Sequence, residues 1–176
     1  MAPKDFQELE EMLEFAVNLG KPVAIRYPRG GESEKTFYSH GKIEYGKAEF
    51  LQAGKDITII AIGKMVARAK EIVTELEKDG IEVELINTRF LKPIDEEMLV
   101  NSIKKTKVVV TIEDNVILGG LAMAVQNIIL KNNIQGVRIK NFGYPDEFIK
   151  HGKTEEIEKI YGLDTNSIIK QIKNWK

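Results

Sequence analysis

The 176 residues contain no cysteine. Disulfides, thiolate nucleophiles and Cys-ligated metals are therefore excluded, and a reduced compartment, the cytoplasm, is the expectation. Histidine is nearly as scarce: His40 and His151 stand far apart with no partner spacing, and H-E-x-x-H does not occur, so a zinc site is not expected. Neither sign of charge dominates, since 26 Lys and Arg face 27 Asp and Glu for a net charge of −1. A nucleic-acid binder working by bulk charge would show a basic excess, and strong steering to a membrane surface is removed as well. No run reaches the roughly 18 apolar residues of a membrane helix. The opening MAPKDFQELEEM is charged and has no apolar core of a secretory leader. There is no G-x-G for a dinucleotide fingerprint and no G-x-S-x-G nucleophile elbow. Gly41–Lys47 spells G-x-x-x-x-G-K, but Ala48 stands where a phosphate loop needs a hydroxyl, and no buried strand precedes it.

What remains is an ordinary globular composition, 43% hydrophobic and 30% charged. A chain of this size can bury about 70% of its unfolded surface. Strand-like and helix-like segments alternate. Residues 6–19 place Phe6, Leu9, Leu13 and Ala16 on one helical stripe and Met12, Phe15 and Leu19 on the next, an apolar face wide enough to need burial on two sides. Gly20 stops this helix, and PVAIRY (22–27) reads as a strand. From Pro28 to Gly54 glycines punctuate a long polar connection, with a short hairpin around Ile43 and Phe50. Loops of that length are uncommon inside one domain, so a boundary is expected there.

Beyond it, strands are predicted at 57–62, 82–87, 107–112 and 137–140. Helices are predicted at 64–79, from the N-cap Asp95 to about Lys105, and from Gly119-Gly120 to about Lys131. Two closing helices follow, capped by Thr154 and Asp164. This alternation predicts βαβ units and a three-layer αβα domain over 50–176, with a mostly parallel sheet.

Two clusters carry candidate chemistry. Arg26-Tyr27-Pro28-Arg29-Gly30-Gly31 ends a predicted strand, where α/β folds bind ligands, and a guanidinium beside glycines suits bidentate phosphate capture. A solvated loop with two surface arginines is the plainer alternative. Glu113-Asp114-Asn115, followed by Gly119-Gly120, ends a buried strand and opens a helix whose N-terminus could hold an anion or a carboxylate. Here the alternative is a turn with tight helix–sheet packing. A small-ligand regulator using the strand ends at Asn87, Arg89, Glu113 and Gly119 is a further reading.

MAPKDFQELEEML, PVAIRYPRGG, NTRFLKPID, TIEDNVILGG and GYPDEFIKHG, in this order, resemble the 1-deoxy-D-xylulose-5-phosphate synthases of the transketolase superfamily. The resemblance runs the whole chain but touches only their C-terminal part. It implies that residues 1–49 are a remnant of the pyrimidine-binding domain plus a linker, and that 50–176 are the transketolase-type C-terminal domain. The implied reaction condenses pyruvate with glyceraldehyde 3-phosphate and releases CO2, using thiamine diphosphate and Mg2+, and feeds isoprenoid precursors, thiamine and pyridoxal phosphate. By resemblance Arg29 contacts the phosphate of glyceraldehyde 3-phosphate; Arg26 alternates with the buried positions of the predicted strand and is expected to be structural.

The family's cofactor and metal motifs, its aminopyrimidine glutamate and its catalytic histidines lie upstream and have no counterpart here. The chain alone is therefore expected to bind no cofactor and to be inactive. A homo-oligomer, a homodimer in the family pattern, is expected through residues 6–27 and the C-terminal domain. Self-association is preferred to docking of residues 1–28 on their own chain, because the 50–176 domain has helices enough to cover its sheet. The alternative is a stand-alone interaction module or split-gene subunit that completes a partner enzyme.

Overall fold

The computed structural model describes residues 1–29 and 41–175. Helix α1 (Phe6–Leu19) comes first, then β1 (Glu49–Gln52), β2 (Ile57–Ala61), α2 (Met65–Glu77) and β3 (Val83–Asn87). They are followed by α3 (Glu96–Thr106), β4 (Val108–Val116), α4 (Leu121–Lys131), β5 (Arg138–Tyr144), α5 (Thr154–Ile160) and α6 (Thr165–Trp175). The five strands form one sheet in the order β1-β3-β2-β4-β5. All neighbours are parallel except β1, which runs antiparallel along the edge of β3. Ile59 pairs with Leu85 on one side and Val110 on the other, so the most apolar strand, ITIIA, lies at the centre and is buried along its whole length.

Side chains alternate between two cores. Ile57, Ile59, Leu85, Val110 and Ile112 meet α2 and α6 through Met65, Ile72, Leu76, Ile168 and Ile172. Ile60, Ile86 and Val109 meet α3 and α4 through Leu99, Ile103, Leu121 and Val125. This is the three-layer αβα arrangement predicted from the alternation. Asp95 caps α3 as expected, accepting from the Met98 N–H at 3.2 Å, and Asp164 accepts from Ser167 N–H at the start of α6.

Four details differ from the sequence reading. Residues 22–27 form no strand; they run extended beside Met1, whose amine donates to Ala24 O and whose carbonyl accepts from Arg26 N–H. No hairpin joins Ile43 to Phe50, because Phe50 belongs to β1 and β1 pairs with β3. Thr154 is the first helical residue of α5 rather than its cap, a position held by Lys153. And residues 1–28 do not depend on a neighbouring chain for all their burial.

Asp5 caps α1 by accepting from Glu8 N–H, and Gly20 ends it with φ 65°, a left-handed conformation that glycine adopts without Cβ strain. The face bearing Met12 and Phe15 packs on Ile43 and Phe90. The other stripe stays outward, with Phe6, Leu13 and Val17 exposed. The wide apolar face is thus buried on one side only.

Candidate functional site

The carboxyl ends of β2, β4 and β5 lie along one edge of the sheet, where parallel α/β folds place ligand-binding groups. The end of β4 and the start of α2, which follows β2, carry polar residues whose partners can be named. Glu113 on β4 turns inward and accepts from Leu121 N–H at 2.8 Å and Ala122 N–H at 2.9 Å. Burial pushes its carboxyl above the usual range, against the opposing pull of those two amides and of Arg26. The N-terminus of α4, a candidate anion site in the sequence, is therefore filled by the chain's own carboxylate. Glycine at 120 is required for this: a Cβ there would fall on the Glu113 carboxylate, 2.7 Å from Cδ, and 2.5 Å from Val116 O.

Asp114, the next residue, holds the N-terminal segment. The Arg26 guanidinium donates to its carbonyl and lies 3.6 Å from its carboxylate, and Lys64 pairs with the same carboxylate at 3.1 Å. Lys64 also reaches Glu158 at 3.2 Å, and Arg68 joins Glu158 at 2.8 Å. A ladder of alternating charges thus runs from residue 26 across the ends of β4 and α2 to α5. Burial raises the Glu158 carboxyl, but Arg68 and Lys64 outweigh it and hold the group below its ordinary value. Burial, with Asp114 and Glu158 adding, pushes the Tyr144 phenol up to about 12, so it stays protonated.

Arg29 lies three residues beyond this anchor and is exposed to solvent. Gly30, Gly31 and His40 lie outside the described residues. His151 is exposed, in the loop before α5. Gly41–Lys47 leads into β1 and not into a helix, and Lys47 pairs with Glu97 at 3.3 Å, so this stretch is no phosphate loop.

The sequence reading missed a buried set of charged and polar side chains that joins α1 to the sheet. Lys4 lies 3.1 Å from Glu8 and 2.7 Å from Glu49; Arg89 lies 2.7 Å from Glu8 and 3.0 Å from Glu49. Asn87 donates to both carboxylates. Burial raises the Glu49 carboxyl, but the bonds from Lys4 and Asn87 and the charges of Arg89 and Lys4 leave it below its ordinary value. Ala2 N–H donates to Arg89 O, which fixes the chain start at the same place. Asn87 and Arg89 therefore clamp α1, Glu113 caps α4, and Gly119 is exposed. The four strand-end residues do not converge on one ligand pocket.

Among the described residues no three or more His, Asp or Glu side chains stand together as a metal-holding group, and the α4 N-terminus is occupied by Glu113. No helix among them is long and apolar enough to cross a membrane.

Residues 46–168 match the family described as the transketolase C-terminal domain. The 1-deoxy-D-xylulose-5-phosphate synthase of Halothermothrix orenii is 41% identical over 170 residues, and that of Clostridium tetani is 43% identical over 172. These alignments take in 96% and 98% of this chain but only 27% and 28% of those enzymes, so the chain spans little more than a quarter of their length. A solved structure described as a split-gene transketolase, inactive β4 tetramer, superimposes with a TM-score of 0.89 at 31% identity. It covers 98% of this chain and 56% of that one.

Proposed function

Because the chain belongs to the transketolase C-terminal domain family, we propose that it is the C-terminal part of a 1-deoxy-D-xylulose-5-phosphate synthase. That enzyme condenses pyruvate with glyceraldehyde 3-phosphate with loss of CO2. On this reading residues 1–49 are the end of the pyrimidine-binding domain and its linker, and 50–176 are the C-terminal domain. The cofactor chemistry belongs to segments outside these residues: thiamine diphosphate, held through Mg2+, supplies the electron sink there. This chain contributes Arg29 for the substrate phosphate and a surface for assembly.

One observation carries the reading. Arg26, Asp114 and Lys64 fix the segment that leads to Arg29 against the carboxyl edge of the sheet, and leave Arg29 itself facing solvent with its guanidinium open to an anion. Arg26 is then the structural arginine of the pair. The assembly surface is the outward stripe of α1 with the extended segment 22–27.

The alternative is a split-gene subunit that completes a partner enzyme. It is favoured by the match of 98% of this chain to a protein described as a split-gene transketolase.

The test is to mix the purified chain with thiamine diphosphate, Mg2+, pyruvate and glyceraldehyde 3-phosphate. Neither pentulose phosphate nor CO2 should form, and calorimetry should show no Mg2+-dependent cofactor binding. Turnover, or micromolar cofactor binding, would refute the reading.

A further inference from the structure

Among the described residues, Arg26 is the last before Arg29 to make a hydrogen bond or ion pair, and it is held twice. Its backbone N–H donates to Met1 O, and the Ala2 N–H donates to Arg89 O, so the main chain is placed from the N-terminal side. Its guanidinium donates to Asp114 O and lies 3.6 Å from the Asp114 carboxylate, so the direction of the chain is set from the end of β4. Asp114 is itself fixed. Its side chain is 16% exposed, and Lys64, which also reaches Glu158, pairs with it at 3.1 Å.

Between this anchor and Arg29 stand Tyr27 and Pro28, both exposed and neither with a hydrogen bond or ion pair among the described residues. Whatever stiffness this dipeptide has therefore comes from covalent geometry. The proline ring locks its own φ at about −65°, and its Cδ confines Tyr27 to extended conformations. Three residues of extended chain reach at most about 10 Å. With two of them restrained, most of a change in direction at residue 26 arrives at Arg29. Two flexible residues in their place would let the Arg29 guanidinium wander however firmly residue 26 was held.

We propose that Asp114 and Pro28 are positioning residues for the phosphate-binding arginine: Asp114 aims residue 26, and the Tyr27-Pro28 splint carries that aim to Arg29. The inference rests on the role given to Arg29 above and adds to it two residues that touch no substrate. A misplaced arginine weakens the hold on the phosphate, which is remote from the reacting aldehyde carbon. Loss of either residue therefore raises KM for the aldehyde phosphate and spares kcat.

The test is steady-state kinetics of the complete enzyme with glyceraldehyde 3-phosphate as the varied substrate. Asp114→Asn keeps the backbone carbonyl and the side-chain shape but removes the charge, and should raise KM about 5-fold with kcat within about 2-fold. Pro28→Gly leaves every charge in place and should raise KM about 3-fold or more. It lies at an exposed position, so it keeps the test alive if Asp114→Asn fails to fold. The deciding readout is a double-mutant cycle. In an Arg29→Ala background neither substitution should raise KM by more than about 1.5-fold, because no guanidinium is left to aim; a merely structural role would cost as much in either background. Losses that add in the Arg29→Ala background would overturn the proposal and leave the role of Arg29 standing. So would a KM unchanged by Asp114→Asn or by Pro28→Gly while Arg29→Ala raises it. An unchanged KM in Arg29→Ala itself would remove the role of Arg29, and the proposal with it.

Discussion

Glu113 and Gly120 must be read together. The carboxylate reaches two helix N–H groups because no Cβ stands between β4 and the start of α4. Gly120→Ala should therefore cost about 2 kcal/mol or more, through displacement of the carboxylate and of the Val116 carbonyl. Urea unfolding would measure it, and a loss under about 0.5 kcal/mol would show that the close approach is not needed. Arg29 makes the opposite kind of claim, about a side chain exposed in this chain. In the complete enzyme, Arg29→Ala should lower kcat/KM for glyceraldehyde 3-phosphate by about 30-fold or more while leaving the pyruvate-dependent step nearer intact. Arg29→Lys should recover only part of that, because an ammonium lacks the planar fork. An unchanged kcat/KM for the aldehyde phosphate would remove Arg29 from the site.

At the scale of elements, α1 is held by a patch of rings and by one buried set of charges. Removing a single partner of such a set leaves the others uncompensated, at a cost of about 3–5 kcal/mol. Glu8→Gln should accordingly release α1, seen as faster amide exchange across residues 6–19 while β2 and β4 stay protected. The pH dependence follows from Glu49, whose carboxyl lies below its ordinary value of 4.5 in the folded chain. Its contribution is complete above that ordinary value and is lost as pH falls through the folded one. The docking of α1 should weaken on acidification below about pH 4.5, and amide protection factors over residues 6–19, corrected for the intrinsic rate at each pH, would measure it at pH 3.5 and 6. Protection factors no lower at pH 3.5 would count against the clamp.

None of this clamp was legible in the sequence. Lys4, Glu8, Glu49, Asn87 and Arg89 come from three distant stretches; Asn87 and Arg89 read as strand-end candidates for a small ligand, and nothing in the pattern joins them to the other three. The βαβ core was legible because buried strands and amphipathic helices have local signatures: ITIIA, IEVELI and KVVVTI carry their burial in composition. β4 runs on to Val116 and β5 to Tyr144 through polar residues that pairing, not composition, keeps extended. The edge strand β1 reads as part of a short hairpin around Ile43 and Phe50, because four residues beside glycines have no period that would name β3 as the partner. PVAIRY failed as a strand for the converse reason: its composition is right, but among the described residues its backbone bonds only to Met1. At the candidate site, Arg26 and Asp114 each stood out in a separate cluster, and that one anchors the other was not legible.

For the whole molecule, what remains is the second stripe of α1. Clamping of the first face means that the exposure of Phe6, Leu13 and Val17 does not come from a loose helix. The three residues recur at helix spacing on one line, with Leu9 and Ala16 half-buried beside it, a pattern suited to a facing helix or groove. An apolar stripe of this kind marks an association surface. One flank is acidic, since Glu10 and Glu14 are exposed and α1 contains no Lys or Arg. If two copies meet stripe to stripe in antiparallel fashion, a twofold axis brings these flanks to the same side, and their repulsion opposes the apolar contact. Self-association of the full chain should therefore strengthen as salt rises from about 10 mM, where the screening length is about 30 Å, to 0.5 M, where it is shorter than 10 Å. Leu13→Lys should abolish it at either ionic strength without changing the circular dichroism spectrum, because Leu13 faces away from the clamp. Sedimentation equilibrium would decide. A monomer at high concentration in both salts would show that the docked face satisfies α1, and association untouched by Leu13→Lys would move the interface to the C-terminal domain.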